Sequence, residues 1–377
     1  MLEESSLKVS MELLRARAES GLKTLYVADA LAMPVHWYYR PYDIQLQFPD
    51  GITDFEAAPK YHPSSIMSLH STNGGGRRSK GSNNGKEIIG DVILKGKRDK
   101  WGVPNTHYHH GMPAGSNTLN AHCARAVTRA LTTNSARYSQ SAFFESYISL
   151  LTSDPPEHPD TYAESYHRAF FANLENGVPP NKCGSKTHDT ASIGGLVTLA
   201  PIVISERFAG TSLETTKKIC MEHLWLTHPD KALSQISDDY VSLLDALLFR
   251  NEQQKPHFLK ELLSKQFTDL NFEQLETKAR DGDEAIVGQL FSKACYISDS
   301  WPSVLYLAYR YNVDILGGLI SNTNLGGDNV HRGSILGVLL GIANAETVDN
   351  LFNKLVDSKI IHEEIENLLD TALSKYI

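Results

Sequence analysis

Apolar residues recur at helical spacing along most of the chain. Leu14, Ala18, Leu22 and Leu25 share one stripe with Asp29, so the spacing predicts a first helix, which Pro34 ends. Asp29 therefore lies on the face that should be buried. A carboxylate there is costly unless it is hydrogen-bonded, paired or bound to a cation, and His36 and Arg332 are candidate partners. The same periodicity predicts helices over 117–132, 139–152, 159–175, 191–206, 212–226, 230–250, 255–264, 271–277, 283–293, 299–311, 313–321, 331–342 and 346–375. Strand signals are few, and EIIGDVILKG, a short hairpin at most, is the clearest. Residues 41–115 show no helical period. Within them STNGGGRRSKGSNNGK is rich in Gly, Ser and Asn and predicts a mobile loop at about 70–87. No repeat of fixed period occurs, which argues against a solenoid.

The stretch SNTNLGGDNVHRGSILGVLLGIAN carries the most information. Ile335, Leu336, Leu339, Leu340 and Ile342 mark a buried helix, and Gly333, Gly337 and Gly341 fall on one of its faces. Each mid-helix glycine costs roughly 1 kcal/mol relative to alanine, so three of them need a packing reason, such as close approach of another helix. Asp328 stands between Gly326-Gly327 and the helix start. A helix cap and a residue facing a ligand both fit that position.

Composition narrows the function classes. The 377 residues are 41% hydrophobic and 21% charged, as in an ordinary globular protein long enough to bury a large core. A formal charge of −8 argues against a general nucleic-acid binder, and no apolar run approaches the roughly 20 residues of a membrane span. The N-terminal segment lacks the apolar core of a signal peptide. Cys123, Cys183, Cys220 and Cys295 form no CxxC pair and read as reduced thiols of a cytoplasmic protein.

Candidate chemistry gathers at a few helix starts. HYHHGMPAGSNTLNAHCARA crowds His107, His109 and His110 ahead of Ser116, Asn117 and Thr118. Such histidines suit a transition metal or a general base, and equally a loop with hydrogen-bonded imidazoles. Gly194-Gly195 interrupts an apolar helix after His188-Asp189-Thr190, and His228 precedes another helix start. No serine sits in a G-x-S-x-G elbow and no phosphate loop of the G-x-x-x-x-G-K-[ST] type occurs.

Taken in order, VADALAMPVHW, AGSNTLNAHCARA, IGGLVTLAPI, LTHPDKAL and NTNLGGDNVHRGSILGVLLG resemble the ADP-ribosylglycohydrolase superfamily, and within it the branch of the jellyfish J-type crystallins. The resemblance implies an all-α, single-domain orthogonal helical bundle with a central cleft, spanning residues 1–377. In active members a dinuclear Mg²⁺ centre helps hydrolyse the N- or O-glycosidic bond of ADP-ribose attached to protein side chains.

This chain departs from the metal motifs of those members. They carry Thr-Asp-Asp-Thr where it has Gly115-Ser116-Asn117-Thr118, and Gly-Gly-Asp-Thr-Asp-Thr where it has Gly326-Gly327-Asp328-Asn329-Val330-His331. His36 takes the place of an early glutamate. Asp328 is thus the one anionic metal ligand kept at these positions. Mg²⁺ prefers hard oxygen ligands in near-octahedral geometry, so magnesium is expected to bind weakly or not at all. A single transition-metal ion on His109 or His110 with Asp328 is the lesser expectation. By resemblance Asp328, Asp29 and His36 are the catalytic candidates. Asn117, Thr118, His109, His110, Gly194, Gly195, Gly326, Gly327, Asn329, His331 and Arg332 are expected around the ligand, with Arg332 and the helix starts at 117 and 331 meeting its pyrophosphate. The functional expectation is a protein that hydrolyses or binds ADP-ribosyl or related nucleotide-sugar ligands. The alternatives are an inactive, crystallin-like structural protein and an ADP-ribose-binding module without turnover. The expected partner is an ADP-ribose-like molecule or an ADP-ribosylated protein.

Overall fold

The computed structural model describes residues 9–75, 85–251, 257–346 and 348–376; the expected mobile loop at about 70–87 falls, over 76–84, outside the described residues. The helices are α1 (Met11–Ala32), α2 (Pro41–Gln47), α3 (Leu119–Thr133), α4 (Gln140–Thr152) and α5 (Ser165–Glu175). Then follow α6 (Leu199–Phe208), α7 (Leu213–Trp225), α8 (Lys231–Leu248), α9 (Phe258–Gln266) and α10 (Phe272–Lys278). The last are α11 (Ile297–Arg310), α12 (Ile315–Leu325), α13 (Asn329–Asn344), α14 (Asp349–Phe352) and α15 (Ser358–Leu373).

Among the described residues there is no strand, only isolated bridges, so the expected hairpin at EIIGDVILKG is a correction: Ile88–Val92 forms one irregular turn around Gly90. Four predicted helices also differ. The one set at 159–175 begins at Ser165. The one at 191–206 is broken, with a 3-10 turn at Ile193–Leu196 before α6. Of 283–293 only the turn Asp283–Ala285 is helical. Finally, 346–375 splits into α14 and α15.

Most of the core is one large cluster that runs from Leu14 in α1 to Leu373 in α15, beside a small one of Met33, Ala58 and Met112. Its axis is the pair α1 and α13. Ser10 Oγ caps α1 by accepting from Leu13 N–H, and α13 runs antiparallel to it with the glycine face turned inward. A Cβ at Gly337 would lie 2.7 Å from Thr24 O, and one at Gly341 would lie 2.6 Å from Ser20 O. Backbone rather than side chain fills the space, so nothing can rotate away. Gly337→Ala is therefore expected to lower stability by about 1–2 kcal/mol, the usual cost of overpacking less the gain in helix propensity. Urea denaturation checks this, and a variant as stable as the parent contradicts the close approach.

Candidate functional site

The site forms where the two ends of the α1–α13 pair meet the loops that follow and precede them. After α1 the chain turns through Met33–Val35 and places Trp37 at φ 61°, a left-handed conformation that a bulky residue rarely adopts. It is held there by its N–H donating to Gly327 O (2.7 Å), while Gly327 N–H donates to Tyr38 O (2.6 Å). Gly326 and Gly327 both have positive φ, and a Cβ on either would lie within 2.3 Å of Tyr38 O or Lys293 O. The Gly-Gly pair thus serves close backbone packing that carries Asp328 to the start of α13.

Asp328 occupies the N-cap position of α13, yet its side chain makes no capping bond. Its Oδ1 lies 3.0 Å from His36 Nε2 and 2.7 Å from His331 Nδ1. Oδ2 has no hydrogen-bond partner, and the His331 Nδ1 contact is close but outside hydrogen-bond directionality. Behind His36 the chain of contacts continues. His36 Nδ1 meets His109 Nε2 at 2.7 Å, and His109 Nδ1 meets Asp160 Oδ1 at 2.8 Å. Asp160 Oδ2 accepts the Leu119 N–H (2.7 Å), a backbone donor of the first turn of α3. On the other side His331 Nε2 lies 2.5 Å from Asn120 Nδ2 and 3.3 Å from Glu164 Oε1. Tyr166 OH donates to Asn120 Oδ1 (2.9 Å). The starts of α3 and α13 are therefore joined through Asn120 and His331.

All these side chains are buried. Burial pushes the His36 imidazole down to about 3, although Asp328 opposes the change. Burial would also lower His331, but the adjacent Asp328 and Glu164 carboxylates outweigh it and hold His331 well above its ordinary value. Asp328 is held low: burial alone would raise it, and His331 and His36 overcome that.

The network opens on a cavity of about 240 Å³ lined by Trp37, Tyr39, Tyr108, Tyr162, Tyr166, His70, His188, Asp189, Glu164, Cys295, Tyr296 and His331, among others. Trp37 stacks on His36 (3.6 Å between centroids) and stands edge-on to Tyr108 and Tyr162. Glu164 Oε2 is buried and makes no hydrogen bond. Asp189 accepts from Ser165 Oγ (2.6 Å). Apolar ring faces, one carboxylate oxygen without a hydrogen bond and a second carboxylate make a pocket suited to a planar or sugar-bearing ligand.

The expected site residues divide. His36, Asp328, His331 and His109 converge in the network, and Gly194 packs beside it: a Cβ there would lie 3.4 Å from His331 Nδ1. Asp29 is a correction in its partners. It pairs with neither His36 nor Arg332 but accepts from Asn117 Nδ2 (2.9 Å), Thr118 N–H (2.8 Å) and Thr118 Oγ1 (2.6 Å). Asn117 and Thr118 thus tie α3 to α1, and neither lines the aromatic cavity; Asn117 instead borders a separate cavity with Ser116, His122 and His158. Arg332 is fully buried and donates to Asn322 Oδ1 and Gly326 O (both 2.8 Å), so it clamps the glycine turn and is not turned to a phosphate. Asn329 donates to Thr323 O (2.9 Å), and Gly195 packs against Leu224, His228 and Leu233. His110 does not line the cavity.

Sequence reasoning missed Asn120, Asp160, Glu164, Tyr166 and Trp37. Asp160 and Glu164 lie in HPDTYAESYH, which the helical period had absorbed. The proline before Asp160 was the available signal for an extended segment.

A pair of Mg²⁺ ions does not fit these residues. Asn117 is turned to Asp29 and Tyr26 O, Val330 is a buried apolar side chain, and Asp328 Oδ1 is shared by two imidazoles. One carboxylate with nitrogen neighbours is a poor host for hard, oxygen-seeking cations carrying four charges between them.

The chain is thus an all-helical bundle with a buried carboxylate–imidazole cluster beneath an aromatic cleft. The family model described as ADP-ribosylglycohydrolase matches residues 10–375, so the chain belongs to the ADP-ribosylglycohydrolase family. Among solved structures it is similar to one titled "ADP-ribosylglycohydrolase-related protein complex", with a TM-score of 0.57 and 15% identity, over 96% of this chain and 99% of that one. At that identity the likeness concerns the fold. No curated protein matches the chain.

Proposed function

We propose that the aromatic cavity binds an ADP-ribosyl group, or a closely related nucleotide sugar, and that Glu164 assists hydrolysis of its glycosidic bond without a magnesium pair. The observation that carries this reading is the buried Glu164 carboxylate at the wall of an aromatic cavity, whose Oε2 accepts no hydrogen bond and has His167 Nε2 as a charged neighbour 3.7 Å away. Family membership supports the ligand class. Glycosidic cleavage passes through an oxocarbenium-like state, which a carboxylate beside the ring stabilises while orienting water. Asn120 Nδ2 donates to Glu164 Oε1 (2.9 Å) and holds the carboxylate in place. A cavity of about 240 Å³ is small for a whole nucleotide sugar. It takes the ribose and its attachment, with the diphosphate at the mouth.

Binding without turnover is the second reading, favoured by the departure of the metal motifs. A purely structural, crystallin-like role is disfavoured, since an inert scaffold has no need of a buried carboxylate oxygen left without a hydrogen bond beside a cavity. No helix among the described residues is long and apolar enough to cross a membrane, and a cytoplasmic location fits the free cysteines. ADP-ribose at a hundredfold excess over its dissociation constant should stabilise the fold by about 2.7 kcal/mol, with or without Mg²⁺. A thermal-shift titration reads this. No shift with ADP-ribose or related nucleotides removes the proposal.

A further inference from the structure

We infer that His36 Nε2, Asp328 Oδ1 and His331 Nδ1 form a binding site for one divalent first-row transition-metal ion, of the zinc, iron or cobalt kind. This site differs from a magnesium pair in metal, number and donors, and it stands independently of the ligand proposed for the cavity.

The three donor atoms lie within 4.8 Å of one another, and all three side chains are buried. Ordinary metal–ligand lengths of about 2.0–2.2 Å ask the donors, now 3.0 and 2.7 Å apart across Asp328 Oδ1, to separate by only a few tenths of an ångström. His331 Nδ1 lies near Asp328 Oδ1 without hydrogen-bond geometry, and Asp328 Oδ2 is buried with no hydrogen-bond partner. A buried carboxylate oxygen and an imidazole nitrogen left without hydrogen bonds on neighbouring groups are costly and point to a missing cation.

Hydrogen counting along the network leads to the same place. Carboxylates only accept, so His109 Nδ1 must donate to Asp160 and His36 Nε2 to Asp328. The contact between His109 Nε2 and His36 Nδ1 needs a third hydrogen. Two neutral imidazoles carry only two hydrogens, so one of these three contacts lacks its hydrogen unless a metal stands in place of the hydrogen on His36 Nε2. His36 then binds the metal through Nε2 and donates from Nδ1 to His109, which donates to Asp160. His331 binds through Nδ1, whose contact with Asp328 lacks hydrogen-bond geometry, while its Nε2 faces Asn120 Nδ2 (2.5 Å) and Glu164 Oε1 (3.3 Å). Metal-bound histidines are regularly supported by such second partners, and imidazole donors suit zinc, iron or cobalt better than magnesium.

The test uses the whole protein, stripped of metal and titrated with Co²⁺. One Co²⁺ per chain should bind with visible d–d absorption bands, and Zn²⁺ should displace it. His36→Ala and His331→Ala should abolish the bands, and His109→Ala should weaken binding about 10- to 100-fold. Circular dichroism of each variant separates loss of the site from loss of the fold, and His36→Gln serves if alanine unfolds the chain. Glu366→Gln, which alters the surface group of Glu19, His362 and Glu366, should leave the bands unchanged. A folded parent that binds no Co²⁺, or binding that survives His36→Ala and His331→Ala, overturns the assignment. Neither result bears on ADP-ribose binding, which the thermal shift measures separately.

Discussion

Asp29→Ala should lower the unfolding free energy by roughly 3–9 kcal/mol, taking about 1–3 for each buried donor left without an acceptor. Those donors are Asn117 Nδ2, Thr118 N–H and Thr118 Oγ1, and all three converge on one carboxylate with no exposure to solvent. Burial pushes the Asp29 carboxyl above its ordinary value, and the bonds from Thr118 and Asn117 oppose that shift. A loss of this size is a large part of the 5–15 kcal/mol typical of a folded protein. Asp29→Asn keeps the shape and one acceptor oxygen, so it should cost less than the alanine variant. Urea denaturation of both variants decides the point. A loss below about 1 kcal/mol for Asp29→Ala contradicts the structural role, and leaves Asp29 free for the catalytic role first expected of it.

Acid should unfold the protein steeply. Burial lowers the imidazoles of His62 and His158 to about 4 and those of His223 and His228 to about 3. In the unfolded chain each takes up a proton near pH 6.5. Between those limits the unfolded state binds more protons than the folded one. Stability is therefore complete above about pH 6.5 and falls as the pH drops towards the folded values. Each imidazole contributes a slope of up to about 1.4 kcal/mol per pH unit, so the four together remove about 4–5 kcal/mol per unit below pH 6. Melting temperatures measured from pH 7.5 to 5 test this. A melting temperature that is flat down to pH 5 means that these histidines find charged partners the structure does not contain.

The fold was legible wherever one helix face is buried and the other wet, because the 3.6-residue period then marks both face and length. That holds for α4, α7 and α8. The glycines of α13 were legible for the same reason, since three unfavourable residues on one face imply a backbone against that face, and Thr24 O and Ser20 O are that backbone. The period fails where segments are buried without being helical. Asp160–Glu164 is apolar enough in its surroundings to pass for a helix start, yet it is not helical, and both carboxylates are buried. Val92 and Ile93 alternate like a strand but fold back around Gly90, whose φ is 98°. Within the site, family likeness located Asp328 and His36 but could not say which residues of α3 face them. Asn117, aligned with a metal ligand, turns to Asp29, while Asn120, one helical turn on, reaches His331. Partner choice of this kind depends on helix rotation, which no local sequence pattern encodes.

The most direct test is hydrolysis of an ADP-ribosylated peptide by the parent and by Glu164→Gln, each with and without added Mg²⁺. The parent should release ADP-ribose at a rate indifferent to Mg²⁺. Glu164→Gln should stay folded and still bind ADP-ribose, with turnover reduced by about 100-fold or more, as for loss of a positioned acid–base group. Turnover that requires Mg²⁺, or that survives in Glu164→Gln, would contradict the account.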